Sequence, residues 1–121
     1  MKYNKYRKLG KNGAEVAPIG IGAMYFKNFY GPCNDEQANE VLTAALDLNL
    51  KHIDTSNIYS MGKSEERIGG FLSKQGKQAN SLFNIATKAS IFSDPETGKR
   101  GFNNEGAHLE EELDKSLKRM G

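Results

Sequence analysis

The chain has 121 residues, with seventeen lysines and arginines against fifteen aspartates and glutamates; its formal net charge of +2 is spread without a basic block, so no nucleic-acid partner is expected. At 37% hydrophobic and 26% charged residues it has ordinary globular composition, which argues against disorder and a membrane-embedded class. Its length corresponds to one small domain over residues 1–121, large enough for a core.

Taken in order, Tyr3 to Leu9 and Glu15 to Ala17 flank Gly10-Lys11-Asn12-Gly13. Asn-Gly between strand-like segments predicts a hairpin over about residues 3–17, because both residues accept positive φ. Pro18 to Gly22 alternates Ile19 and Ile21 with Gly20 and Gly22, which predicts a strand with one apolar face and one bare face open to close approach. Met24 to Cys33 is an irregular stretch of aromatics and glycines, suited either to lining a cleft mouth or to packing. Cys33 is the single cysteine; it has no partner for a disulfide or at metal spacing, which fits a reducing compartment and no metal site. No apolar run follows the charged N-terminus, and no stretch approaches the roughly 20 apolar residues of a membrane span. The expected location is the cytoplasm, without a membrane partner.

Asn34 with Gln37 approximates a capping box, and Ala38, Val41, Leu42, Ala45 and Leu46 recur at helical spacing, predicting a helix with one core face. Asn49 is the expected left-handed cap. Leu50 to Asp54 is the second core strand. Ser64, a hydroxyl N-cap candidate, opens the next helix with Glu65 and Glu66 near the positive end of its dipole. This helix runs to about Lys74 with Ile68, Phe71 and Leu72 inward. Leu82 to Lys88 is the third core strand, Ser93 to Gly101 a polar loop, and Asn104 or Glu105 to Met120 a helix with Leu109, Leu113, Leu117 and Met120 along one side; Gly121 is its C-cap.

A hairpin followed by three strand-helix alternations implies parallel strands. Side-chain alternation puts His52, Asp54, Asn84, Ala86 and Lys88 on one sheet face and Ile53, Phe83, Ile85 and Thr87 on the other. One polar face suits a barrel interior better than a doubly wound sheet. The glycines at 20 and 22 also lack the G-x-G-x-x-G spacing of a dinucleotide turn. Asp54 and Lys88 end neighbouring strands, close enough to pair, and Tyr59 loops over the same end. An ammonium beside a phenol favours the phenolate, so Tyr59 is a candidate general acid toward a carbonyl oxygen, with Lys88 tuning it and Asp54 fixing the lysine.

From Lys8 to Gly121 the sequence resembles the aldo-keto reductase family, in K-L-G-K-N-G-A-E-V-A-P-I-G-I-G, in H-I-D-T-S with Tyr59 five residues after Asp54, and in G-K-S-E-E-R-I-G, I-A-T-K and S-L-K-R-M-G. The resemblance implies the N-terminal part of a (β/α)8 barrel, incomplete here with three strand-helix units of eight, that reduces aldehydes or ketones with a nicotinamide cofactor, usually NADPH and alternatively NADH. It makes Tyr59 the proton donor and Asp54 and Lys88 its supports, and puts Gly22, Ala23 and Met24, with Asp54, near the nicotinamide and its ribose. Where the family commonly has glycine and an aromatic before the second strand, this chain has Asn49 and Leu50; Ser60 replaces the glycine often seen after the tyrosine. The family's catalytic histidine is not matched: His52 precedes the aspartate and His108 lies in the last helix. The chain alone is therefore expected to lack a complete active site. Its alternative reading is a non-catalytic fragment that self-associates, or pairs with a full-length partner, through open barrel edges.

Overall fold

The computed structural model describes residues 5–26 and 31–121; the parts of the predicted hairpin and of the Met24–Cys33 stretch at residues 1–4 and 27–30 lie outside them. The hairpin pairs β1 (Arg7–Lys8) with β2 (Glu15–Val16), Arg7 opposite Val16. Its strands are shorter than expected. The turn works differently too: the left-handed residue is Gly10 at φ 71°, whereas Asn12 and Gly13 keep negative φ.

Strand β3 is Ile21–Gly22 alone. Ile19, expected on its apolar face, is exposed, because the chain before Ile21 has not yet joined the sheet. The capping box is formed as read, Asn34 Oδ1 accepting from the Gln37 amide and Gln37 Oε1 from the Asn34 amide, and it opens α1 (Asp35–Asp47). Asn49 takes the left-handed cap at φ 61°. Strand β4 (His52–Asp54) follows, then α2 (Lys63–Leu72).

Gly62, not Ser64, caps α2; the Ser64 hydroxyl is buried and spent on tertiary contacts. After Leu72 the chain tightens into a 3-10 stretch over Ser73–Gln78, broken at Gly76 by φ 67° and ψ −146°, so the helix stops short of Lys74. A single turn, α3 (Ala79–Leu82), takes up Leu82, and β5 covers only Asn84–Ala86. The stretch read as a polar loop is bracketed by a second hairpin, β6 (Ile91–Ser93) with β7 (Arg100–Phe102). Its turn is held by Asp94 Oδ1, which accepts from the amides of Glu96 and Thr97. Helix α4 (Gly106–Met120) closes with Gly121, whose amide donates to the Leu117 carbonyl at 2.8 Å.

The central sheet is parallel in the order β3-β4-β5. Gly22 stands opposite Asp54, and Asp54 opposite Ala86. One face carries Ile53 into a core of Phe26, Ala38, Leu42, Ala45, Ile68, Phe71 and Phe83; each large side chain fully buried there contributes about 1.5–3 kcal/mol of transfer free energy. The other face carries Gly22, Asp54 and Ala86.

Helix α4 turns a different side inward from the one expected. Leu113 and Leu117 are exposed and Ser116 is fully buried. The inward side is polar because α4 crosses α2 at very short range: a Cβ at Gly69 would lie 2.0 Å from the Arg119 carbonyl oxygen. Only a glycine on α2 leaves room for that backbone, and the contact selects the short Ser116 and the extended Arg119 over leucines.

Candidate active site

The site forms at the C-terminal ends of β4 and β5. Past Asp54 the chain stays stitched to its neighbour, the Thr55 amide donating to the Ala86 carbonyl at 2.8 Å and the Asn57 amide to the Lys88 carbonyl at 3.1 Å. It then turns tightly through Tyr59, where Ser60, Met61 and Gly62 are left-handed in succession, at φ 59°, 55° and 93°. For a non-glycine residue that conformation costs about 1–2 kcal/mol. Ser60, standing where the family often has glycine, therefore carries strain, and its Oγ is buried without a partner among the described residues. Ser60→Gly is expected to raise stability by about 1 kcal/mol, since relief of both costs exceeds the added freedom of the unfolded chain. A urea midpoint that stays level or falls would refute this.

Lys88 gathers the cluster. Its Nζ donates to Asp54 Oδ1 at 2.5 Å, to the Thr55 carbonyl at 2.8 Å and, at longer range, to the Tyr59 hydroxyl at 3.5 Å. It also lies 5.1 Å from the Tyr59 ring centroid, over the ring. An ammonium has three protons and no lone pair, so all three are committed and the phenol oxygen accepts. The phenolic proton is left to point elsewhere. Asp54 and Lys88 are each about half exposed, at 47% and 49% of side-chain area, so the pair adds at most about 1 kcal/mol to stability; it orders the site more than it holds the fold.

Thr55 and Ser64 lie behind the cluster. The Ser64 hydroxyl donates to the Ala23 carbonyl at 2.8 Å, and Thr55 Oγ1 stands 3.0 Å from Ser64 Oγ. The single Ser64 proton is taken, so Thr55 is the donor between them. This chain joins the ends of β3 and β4 to α2. Of the residues expected at a nicotinamide, Gly22 is exposed, a Cβ there would meet nothing within 4 Å, and it faces Asp54 in register. Met24 is half-buried; Ala23 is fully buried with its carbonyl engaged. Gly22 and Asp54 thus leave an open approach for a flat ring. His52 shares the sheet face of Asp54, its Nδ1 buried without a partner among the described residues. His108, in α4, stands edge-on to Phe92 at 6.3 Å.

Two polar contacts were not anticipated from the sequence. Glu65 is fully buried, with Oε1 accepting from Thr87 Oγ1 at 2.6 Å and Oε2 from Arg119 at 2.7 Å. Glu112 accepts from Asn57 Nδ2 at 2.8 Å and from Lys115 Nζ at 2.8 Å. The inward face of Glu65 was readable, since Glu65, Ile68 and Leu72 lie at helical spacing, but its partners were not; the leucine stripe of α4 concealed both Glu112 and Arg119.

The profile of the aldo/keto reductase family matches residues 18–121. The chain belongs to the aldo/keto reductase family. It is 40% identical over 115 residues to the Schizosaccharomyces pombe aldo-keto reductase yakc [NADP(+)], covering 95% of this chain and 33% of that protein. A crystal structure from Pseudomonas aeruginosa, of a protein assigned as an aldo-keto reductase, superposes with a TM-score of 0.78 at 33% identity, over 95% of this chain and 42% of its own. The holo form of an aldo-keto reductase from Bacillus halodurans gives a TM-score of 0.81 at 23% identity, over 98% and 37%, a likeness of fold. This aldo/keto reductase chain thus spans about a third of the length of the curated relative it matches, and its fold is that of the N-terminal part of a (β/α)8 barrel. Among the described residues no helix is long and apolar enough to cross a membrane.

Charge at the site sets a pH window. Partial burial, the largest single influence on Lys88, pulls its ammonium down, but the hydrogen bond and charge of Asp54, with Tyr59, outweigh it and raise the pKa. A raised lysine stabilises fully below its ordinary value of about 10.4 and ceases to do so as pH climbs through its folded value. Glu112 is lowered, by the Lys115 hydrogen bond first and against the opposing effect of burial, with Asn57 adding to the lowering. Its contribution is present above about pH 4.3 and disappears as pH falls through the depressed folded value. Denaturant midpoints are expected to hold level between about pH 4.3 and about pH 10.4 and to fall on either side. A midpoint rising on acidification below pH 4 would contradict the assignment of Glu112.

Proposed function

We propose that this chain carries the proton-donating half of an active site that reduces an aldehyde or ketone with NADPH. The observation that carries the reading is the threefold engagement of Lys88 by Asp54, the Thr55 carbonyl and Tyr59, which leaves the phenolic proton for another acceptor. Tyr59 gives that proton to the carbonyl oxygen as it gains negative charge. The Lys88 ammonium stabilises the phenolate left behind, and Asp54 keeps the lysine charged and aimed. Gly22, Met24 and Asp54 would hold the nicotinamide end of the cofactor, with Ala23 giving shape rather than contact; NADPH is favoured over NADH by the NADP(+) in the name of the yeast relative. When bound, the reduced nicotinamide supplies the hydride. The fold supports treating residues 1–121 as one partial barrel domain, and the single buried Cys33 supports a cytoplasmic location.

A second reading is favoured by a different observation. β3 and β5 are the outer strands of the described sheet, and Ile19, Phe102, Leu113 and Leu117 are exposed, so the chain has edges and apolar surface through which copies could associate. The two are separated by following NADPH consumption with a set of simple aldehydes, with sedimentation run in parallel. Aldehyde-dependent consumption supports the reductase. Oligomers without consumption support the non-catalytic reading.

A further inference from the structure

The run of three left-handed residues after Tyr59 needs restraint from outside, because such strain persists only where the surroundings over-determine it. Hydrogen bonds inside the loop do not supply it all: the Met61 amide reaches Ile58 and the Lys63 amide reaches Ser60, which closes the turn without tying it to the sheet. Helix α4 supplies the rest. Glu112 and Arg119 are seven residues apart, two turns on one helix face. They grip the chain on either side of Tyr59, Glu112 at Asn57 through 2.8 Å and Arg119 at Glu65 through 2.7 Å. The Arg119 side chain also lies over the end of the left-handed run, since a Cβ at Gly62 would come within 2.6 Å of its Nε.

Both grips extend to the segment that carries the lysine just past β5. Asn57 donates its amide to the Lys88 carbonyl at 3.1 Å, and Glu65 accepts from Thr87, the residue before Lys88, at 2.6 Å. Each therefore joins α4 and the residues just past β5 to the chain flanking Tyr59, one before it at Asn57 and one after it at Glu65 in α2. We propose that α4 is a clamp that sets the distance between Tyr59 and Lys88, with Glu112 and Arg119 as positioning residues that touch neither substrate nor cofactor. The catalytic meaning of that distance rests on the reading of Tyr59 as proton donor; the clamp itself does not.

The test uses the whole chain, labelled for NMR, and reads the proximity of the Tyr59 ring to the Lys88 side chain together with amide exchange over residues 59–62. Asn57→Asp sets two carboxylates against each other at the Glu112 grip. It is expected to abolish the Tyr59–Lys88 proximity signal and speed exchange of those amides by about tenfold or more, while the Ile53 amide in β4 stays protected. Combining Asn57→Asp with Glu112→Gln exchanges donor for acceptor and is expected to restore both signals, a rescue that general loosening of the fold would not produce. Should Asn57→Asp not fold, Glu112→Ala removes the acceptor without adding a charge and is read in the same way. Unchanged proximity and exchange in the single variant, or no recovery in the double variant, would overturn the clamp. None of these signals depends on turnover, so failure of the clamp and failure of the reductase reading are separately visible.

Discussion

Tyr59→Phe is expected to lower carbonyl reduction by about 10²–10⁴-fold, the range that a positioned general acid contributes. The substitution removes one oxygen and leaves the ring, so the stacking of the Lys88 ammonium at 5.1 Å and its bonds to Asp54 and the Thr55 carbonyl remain. NADPH affinity should accordingly be unchanged, because the residues proposed at the nicotinamide lie on β3, on the 3-10 turn that follows it and on β4. The measurement is the rate of aldehyde-dependent NADPH oxidation in the protein that carries this chain, with a parallel binding titration. A variant that keeps more than about a tenth of the rate would remove Tyr59 from the donor role. A loss of binding equal to the loss of rate would mean that the hydroxyl serves cofactor binding rather than proton donation.

Arg119→Leu is expected to destabilise the fold by about 3–5 kcal/mol. Glu65 has no exposed surface, and Arg119 is its cationic partner; Thr87 supplies one hydroxyl to the other carboxylate oxygen. Without the guanidinium the carboxylate is left buried on one neutral donor, and the leucine cannot satisfy it. Arg119→Lys keeps the charge but loses the planar fork and the packing over Gly62, so an intermediate loss of about 1–2 kcal/mol is expected. Urea denaturation of both variants checks this. If leucine proved as stable as arginine, Glu65 would have to find water or take up a proton, and the ion pair would not hold α2 to α4.

Parts of the chain with strong local signals could be read directly. The Asn34–Gln37 box, the left-handed Asn49, the parallel strands around Ile53 and the stretch from Asp54 through Tyr59 to Lys88 each rest on a short-range rule or an unambiguous period. The chain is silent where a tertiary contact overrides the local preference. Ser64 has the residue type of an N-cap, but the Ala23 carbonyl and Thr55 recruit its hydroxyl inward, and Gly62 takes the cap. The leucines at 113 and 117 form a plausible core stripe, yet the close approach at Gly69 turns Ser116 and Arg119 toward α2 instead. The β6–β7 hairpin is hidden because its three-residue strands adjoin a polar run of turn-forming residues and, unlike β4 and β5, carry no apolar run into the core. At the site, the pairing of Asp54 with Lys88 followed from strand ends alone, whereas the links through Glu65 and Asn57 join residues more than fifty positions apart, a separation that no local pattern encodes.

The most direct test of the account is a titration with NADPH, following nucleotide fluorescence at micromolar concentration, of the protein that carries this chain, as wild type and as Asp54→Ala. The account predicts saturable binding that Asp54→Ala weakens about tenfold or more, as expected for loss of a charged hydrogen-bonding group at a ligand. No saturable binding, or equal affinity in the two proteins, would contradict it.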